Sequence, residues 1–464
     1  MPRSRPHPHG RPRRRALPPE LRRVNLNAAG IDVGAEGHFV AVPDGRDPEG
    51  QSVRQFGAFT ADLHALAEWL RRCGIDTVAM ESTGVYWIPL FELLAGRGFA
   101  VKLVDPRQLK HVPGRKTDVL DCQWIQQLHT FGLLAAAFRP DDEVCVLRSY
   151  LRQRAMLVTY AAHHIQHMQK ALEQMNLKLA HVVSDLTGVT GLAIIRAILA
   201  GERNPQALAA LRDRRCKHDV RTIARSLEGT WRAEHLFALR QALALVEVYQ
   251  QHLATCDRQI EAYLTQFADQ SAGRALAPGA RPRKPRRTAP AFDTRSHLYR
   301  LTGVDLTQID GIDAPTALKV VSEIGLEMSR WPTEKHFASW LSLAPGSKVS
   351  GGKQLSSRTK PSANRAAAAL RLAASSLHHS QSALGAFYRR LKARLGAPKA
   401  ITATAHKLAR LIYRMLKFRT AYVDRGQDYY ERRYHHRLLS SLTRRARDLG
   451  YQLVRTDDLS PVPA

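Results

Sequence analysis

Residues 28–42 read AAGIDVGAEGHFVAV. Two apolar, β-branched runs flank a short Gly-containing break, the pattern of adjacent strands joined by a turn. Outward from this pair the signals continue. VRQFGAFT at 53–60 reads as a third strand, and ADLHALAEWLRRCG has helical spacing and stops at Gly74. DTVAME at 76–81 reads as a short buried strand, VYWIPLFELLAGRG at 85–98 as a helix, AVKLVDP at 100–106 as a strand, and DVLDCQWIQQLHTFGLL at 118–134 as a helix. Three strands followed by alternating helices and strands predict a mixed α/β sheet over residues 25–139.

Four carboxylates fall at telling places in this pattern. Asp32 sits in the first strand, Glu81 ends the buried strand, and Asp118 and Asp121 lie three apart in GRKTDVLDCQWI. Residues three apart on a helix project to one side. Taken singly, each acid has an ordinary explanation, since acids near helix N-termini complement the dipole. Asp32 and Glu81 are harder to explain that way, because both end apolar strands where a buried charge is costly. Carboxylates brought together repel unless a cation intervenes. A hard divalent ion with oxygen ligands, Mg2+ or Mn2+, resolves the conflict, and such ions serve phosphoryl transfer.

The chain has 464 residues and a net charge of +29, which implies a polyanionic partner, most simply nucleic acid. Its 44% hydrophobic content implies that most of it is globular. Five scattered cysteines, Cys73, Cys122, Cys145, Cys216 and Cys256, fit neither a disulfide framework nor a zinc site and read as reduced cytosolic thiols. No apolar stretch approaches membrane-spanning length, so no membrane partner is expected. Residues 1–24 form a basic, Pro-rich arm without the apolar core of a secretory signal, expected to be disordered and to add affinity for phosphates. Residues 140–269 are helical throughout, with apolar steps of three and four that suggest antiparallel helices or a coiled-coil arm, broken by a very basic stretch at 201–231. Residues 270–296 are Pro-, Ala- and Arg-rich and read as a linker or surface insertion. Residues 297–464 are mostly helical.

Two motifs in this last region carry chemistry. In LAPGSKVSGGK at 343–353, Gly351 and Gly352 permit a tight turn with exposed amides, and Lys348 and Lys353 stand beside it, so the stretch can hold a phosphate next to Ser350. An ordinary Gly/Ser/Lys surface loop reads the same way, and a nucleophilic serine needs an activating base or metal that is not adjacent in sequence. In LTQIDGIDAPTALKVVSEIG at 306–325, a hairpin at Gly311 between two short helices resembles a helix-hairpin-helix element, which binds phosphate through amides. A plain packing unit of two helices is the alternative, and Asp313 stands where such elements commonly carry Gly. Arg115, Lys116, Arg358, Lys360 and Arg365 complete the candidate nucleic-acid contacts. His163 and His167, the pairs at 378–379 and 435–436, and Trp87, Trp124 and Trp340 read as polar helix faces and as core, respectively.

The order GIDVG, MESTG, KTDVLD resembles the RuvC-like, RNase H-type domain of DEDD transposases, and IDGIDAPTALKVVSEIG followed by FASWLSLAPGSKVSGGKQLSSRTKPSANRAAAALRLAA extends the likeness. Together they are similar to the insertion-sequence "one-ten" family, the bridge-RNA-guided recombinases. The resemblance implies an RNase H-like domain, a helical arm and a C-terminal serine transposase domain. It implies a metal site at Asp32, Glu81, Asp118 and Asp121, and Ser350 as the nucleophile that joins DNA covalently, with Ser347 as the alternative register. It further implies a noncoding guide RNA, a homo-oligomer (dimer or tetramer) and a cytoplasmic, nucleoid-associated prokaryotic setting. A structure-selective, junction-resolvase-like nuclease using water shares the four carboxylates, and a non-catalytic nucleic-acid-binding protein shares the charge.

Overall fold

The computed structural model describes residues 22–82, 84–106, 109, 118–278 and 287–454. Arg115 and Lys116 lie outside the described residues, as does nearly all of the basic arm. The chain divides into two compact units that meet in sequence at Arg139 and Pro140.

The first unit is a five-stranded sheet with helices on both faces. Its elements are β1 (Ala28–Val33), β2 (Gly37–Ala41), β3 (Val53–Gly57), α1 (Thr60–Arg72), β4 (Thr77–Glu81), α2 (Trp87–Gly96), β5 (Ala100–Val104) and α3 (Asp118–Thr130). The strand order is β3-β2-β1-β4-β5. β1 pairs antiparallel with β2, and β2 with β3, while β1–β4 and β4–β5 are parallel. This arrangement is consistent with an RNase H-like domain. β1 is central and buried on both faces, which explains its nearly unbroken apolar run.

Alternation along the strands sorts their side chains. Ile31, Val33, Val78 and Met80 face one core with Leu66, Trp69 and Leu70 of α1 and with Leu90 and Leu94 of α2. Ala79 and Val104 face the other side, toward Ile125 of α3 and Leu134. α3 comes unusually close to the sheet: a Cβ built on Gly30 would stand 2.2 Å from the Gln126 backbone nitrogen and 2.4 Å from the Cys122 carbonyl oxygen. Only glycine fits at that crossing.

Among the described residues, the second unit is helical apart from one hairpin. It begins with α4 (Asp142–Gln174), a run of about 50 Å at 1.5 Å per residue. Short helices α5 (Leu179–Val182), α6 (Val189–Ala200), α7 (Pro205–Ala210) and α8 (Val220–Ser226) follow, and α9 (Ala233–Gln266) returns along α4. The pair is antiparallel: Tyr263 donates to the Glu143 carbonyl (3.1 Å), Arg154 to Asp257 (3.2 Å), and the Tyr160 and Tyr249 rings lie 6.2 Å apart. The broken basic stretch folds into a cap at the far end, where Leu208, Ile223 and Leu227 join Leu172, Ile195 and Leu239 in one core.

Then come α10 (Thr294–Thr302), α11 (Ala314–Ile324), α12 (Glu334–Trp340), β6 (Lys348–Ser350), β7 (Lys353–Ser356), α13 (Arg365–Ser376), α14 (Ala383–Leu395), α15 (Ala397–Phe418) and α16 (Gly426–Asp448). The root of α4 is tied to the C-terminal end of α11. Arg148 donates to the Ser322 and Glu323 carbonyls at 3.1 Å each, and Arg152 forms a two-pronged pair with the Glu323 carboxylate. Arginine is well suited there, because terminal helix carbonyls lack intrahelical donors. The described ends of the Pro/Arg-rich stretch are also held down. The Thr288 carbonyl accepts from Arg154, the Ala291 amide donates to Asp257, and Arg287 pairs with Asp185.

Trp87 packs against the sheet core, and Trp340 stacks with Trp331 and Phe337. Among the described residues, no helix is long and apolar enough to cross a membrane.

Candidate active site

The sheet's alternation decides where the acids point. In β1 the residues facing α1 and α2 are Ala29, Ile31 and Val33, so Gly30 and Asp32 face α3. In β4, Val78 and Met80 face α1 and α2, so Ala79 and Glu81 face α3 as well. Ile31 pairs with Met80 in parallel register, and the next step along both strands sets Asp32 beside Glu81. Both are half-buried. Asp118 and Asp121 occupy the first turn of α3, Asp118 exposed and Asp121 half-buried. That turn immediately precedes Cys122, whose carbonyl rests on Gly30, two residues before Asp32 on β1.

Cys122 reports on this neighbourhood. Its thiol donates to the Val119 carbonyl (3.2 Å) and is fully buried. Burial above all, with the negative charges of Asp32 and Asp121 acting in the same direction, raises its pKa to about 12. Cys122 itself belongs to α3 and packs on β1 at Gly30. Cys122 is accordingly an inert packing residue, not a nucleophile. Among the described residues, no three His, Cys, Asp or Glu side chains are gathered tightly enough to hold a metal ion. The donor chemistry still fits a hard divalent ion, since all four candidates are carboxylates on one side of one sheet.

The second constellation is the β6–β7 hairpin, where the sequence showed a turn but not its strands. Ser350 pairs with Lys353 across the two-residue turn Gly351–Gly352. Both glycines have positive φ, +54° and +75°, as a tight hairpin turn of this kind requires. A Cβ at either would meet nothing within 4 Å, so the turn stands open. Ser350 is exposed at the end of β6, whereas the Ser347 hydroxyl accepts from the Gln354 amide (3.2 Å). Lys348, Lys353, Arg358, Lys360 and Arg365 are all exposed along the hairpin, its continuation and the start of α13.

The Gly311 element is placed differently from the expectation of an amide hairpin open to phosphate. Gly311 has φ +87° and backs onto α13: a Cβ there would stand 2.9 Å from the Ala373 carbonyl and 3.1 Å from Leu377. Asp313 caps α11, accepting from the Thr316 amide at 3.0 Å. A packing glycine and a capping acid account for both residues. His163 and His167 lie on α4, where the neighbouring His164 ring stacks on Tyr249 at 5.4 Å, as expected of a polar helix face.

Comparison with known families converges on one class. Residues 29–177 match the model of a DEDD transposase domain, which spans the sheet unit and all of α4. Residues 304–389 match the model described as "Transposase IS116/IS110/IS902 family", which spans the hairpin and the helices around it. Two separate matches, in family order, make this enzyme a DNA transposase. The chain belongs to the IS110 family of insertion-sequence transposases. No curated protein matches it.

Proposed function

We propose that this transposase cuts and rejoins DNA by attack of the Ser350 hydroxyl on a backbone phosphate, assisted by a divalent cation that Asp32, Glu81, Asp118 and Asp121 would hold. The observation that carries the acidic half is the shared orientation of Asp32 and Glu81 toward the helix whose first turn bears the other two acids. The open, exposed setting of Ser350 beside two left-handed glycines supports the serine half, and the hydrogen bond to Ser347 favours Ser350 over it.

Chemically, the Ser350 oxygen forms a bond to phosphorus, the bond from phosphorus to one deoxyribose oxygen breaks, and that oxygen leaves with a proton. The serine proton departs as the hydroxyl attacks. The link conserves the energy of the phosphodiester, so a second DNA hydroxyl can reverse the step on a new partner without ATP. Mg2+ or Mn2+, when bound, would supply Lewis-acid polarisation of the phosphate. Around the reaction, Lys348 and Lys353 with the Gly351 and Gly352 amides hold phosphate oxygens. Arg358, Lys360 and Arg365 track the flanking backbone.

In this reading residues from about 297 onward form the serine transposase domain, a noncoding RNA pairs with the DNA to choose the sites, and protomers assemble as a dimer or tetramer to complete the chemistry. The charge of +29 suits simultaneous contact with RNA and DNA. Ser350→Ala tests the proposal. Strand exchange is expected to fall below detection while DNA binding persists. Recombination at the parent rate contradicts the serine mechanism, and cutting without rejoining points to water as the nucleophile.

A further inference from the structure

α16 is anomalous. A surface helix ordinarily buries an apolar stripe, yet none of the side chains of this 23-residue helix is buried. Its first half leans on α14 through aromatic and guanidinium contacts. Tyr430 meets the edge of Phe387 at 6.2 Å, Arg389 donates to Gln427 (2.6 Å), and the Arg390 guanidinium lies 4.6 Å from the Tyr430 ring centre and 3.3 Å from that of Tyr434. Between the two helices is a cleft of about 690 Å³, lined by Arg390, Arg432, Tyr434, His435, His436 and Leu439 among others.

The charge around the cleft is one-sided. α14 carries Arg389, Arg390, Lys392 and Arg394 and no acid. α16 carries six arginines against three acids. The one acid lining the cleft, Glu431, is engaged by the Gln427 amide at 2.7 Å. Lys407 of α15, exposed on that helix, has its pKa lowered by desolvation and by the neighbouring charges of Arg410, Arg437 and Arg433, against Glu334. Like charges crowded this closely repel unless a polyanion lies among them. Tyr434, with one face under Arg390, keeps 40% of its surface exposed. A flat basic helix suits duplex phosphates. A cleft offering an aromatic ring and a guanidinium plane suits an unpaired base, with the neighbouring phosphates on the arginines.

We propose that the α14–α16 cleft binds an unpaired stretch of DNA, stacking a base at the Arg390–Tyr434 pair and holding its phosphates with Arg432 and the arginines around it. Strand exchange by a DNA transposase leaves such stretches exposed. The cleft needs no catalytic step, so the inference stands or falls separately from the role of Ser350.

The test is fluorescence anisotropy on the full-length chain, with labelled oligo(dT) and a labelled duplex of equal length as probes. Tyr434→Ala and Arg390→Ala are expected to weaken oligo(dT) binding about tenfold and duplex binding less than about twofold, while Tyr434→Phe, which keeps the ring, binds like the parent. Parent-like oligo(dT) binding by both alanine variants overturns the proposal. Equal loss for strand and duplex overturns it too, because the site would then be a plain charge patch. Tighter binding of oligo(rU) than oligo(dT) assigns the cleft to RNA instead. A change in oligomeric state with no change in binding means that a second copy, seated on the exposed Leu438, Leu439 and Leu442, covers this face.

Discussion

Gly30 is the residue on which the proposed acidic site turns. Its missing Cβ lets α3 settle on β1, and that contact brings the first turn of α3 toward Asp32. Gly30→Ala places a methyl group on backbone atoms that cannot swing aside, so a loss of about 3 kcal/mol is expected, read as a drop in urea midpoint for the sheet unit. An unchanged midpoint would mean that α3 does not rest there. The placing of Asp32 and Glu81 on neighbouring strands was legible in sequence because a charge at the end of an apolar strand is conspicuous. Gly30 was not, because its reason is a tertiary contact with a segment about ninety residues away. His129 carries a second expectation. It is 1% exposed, its Nε2 lies 2.9 Å from the Thr77 hydroxyl, and its Nδ1 has no partner, the setting of a neutral ring. Burial, with help from the Lys102 charge, lowers its pKa to about 4, opposed by Asp76. The unfolded chain, whose histidines titrate near the ordinary value of about 6.5, therefore takes up the proton first as pH falls. The neutral ring's contribution is full above that pH and is lost progressively down to about pH 4, by up to about 3 kcal/mol. His129→Gln should flatten the fall in melting temperature between neutral and mildly acid pH. An identical fall in parent and variant would contradict this.

The β6–β7 hairpin and the Arg154–Asp257 pair between α4 and α9 behave in opposite ways. The hairpin is exposed on both faces, so an isolated two-stranded ribbon like this contributes little to stability. Its turn nonetheless requires left-handed backbone at Gly351 and Gly352. Gly352→Val should cut recombination at least about tenfold by distorting the turn beside Ser350, with a melting temperature like the parent's. A variant that recombines normally would separate the turn from the chemistry. By contrast, Arg154 is 8% exposed, pairs with Asp257 and donates to the Thr288 carbonyl. Arg154→Leu strands the Asp257 charge and should cost about 3–5 kcal/mol in chemical denaturation. A loss under about 1 kcal/mol would show that the pair is solvated. The glycines announced a turn in the sequence, but strands without a buried face have no apolar alternation to betray them. The same limit explains the Gly311 element, where turn chemistry was visible and the packing of α13 behind it was not.

Across the whole molecule, the sequence showed a sheet unit, long helices and a helical C-terminal region through hydrophobic period alone. It left open which helices pair, because a period of three or four names an apolar face and not its neighbour. The net charge of +29 sets a further expectation: duplex binding should weaken at least about a hundredfold between 50 and 200 mM salt, by counterion release. A salt-independent affinity would contradict a backbone-led interface. The most direct measurement is of the covalent step itself. The transposase is incubated with DNA carrying a nicked or mismatched site that stalls rejoining, and the protein–DNA adduct is digested and mapped by mass spectrometry. The account predicts a nucleotide phosphate on the peptide that contains Ser350, absent from Ser350→Ala and from Asp118→Ala. Cleaved DNA without any adduct, or an adduct at a different residue, would contradict it.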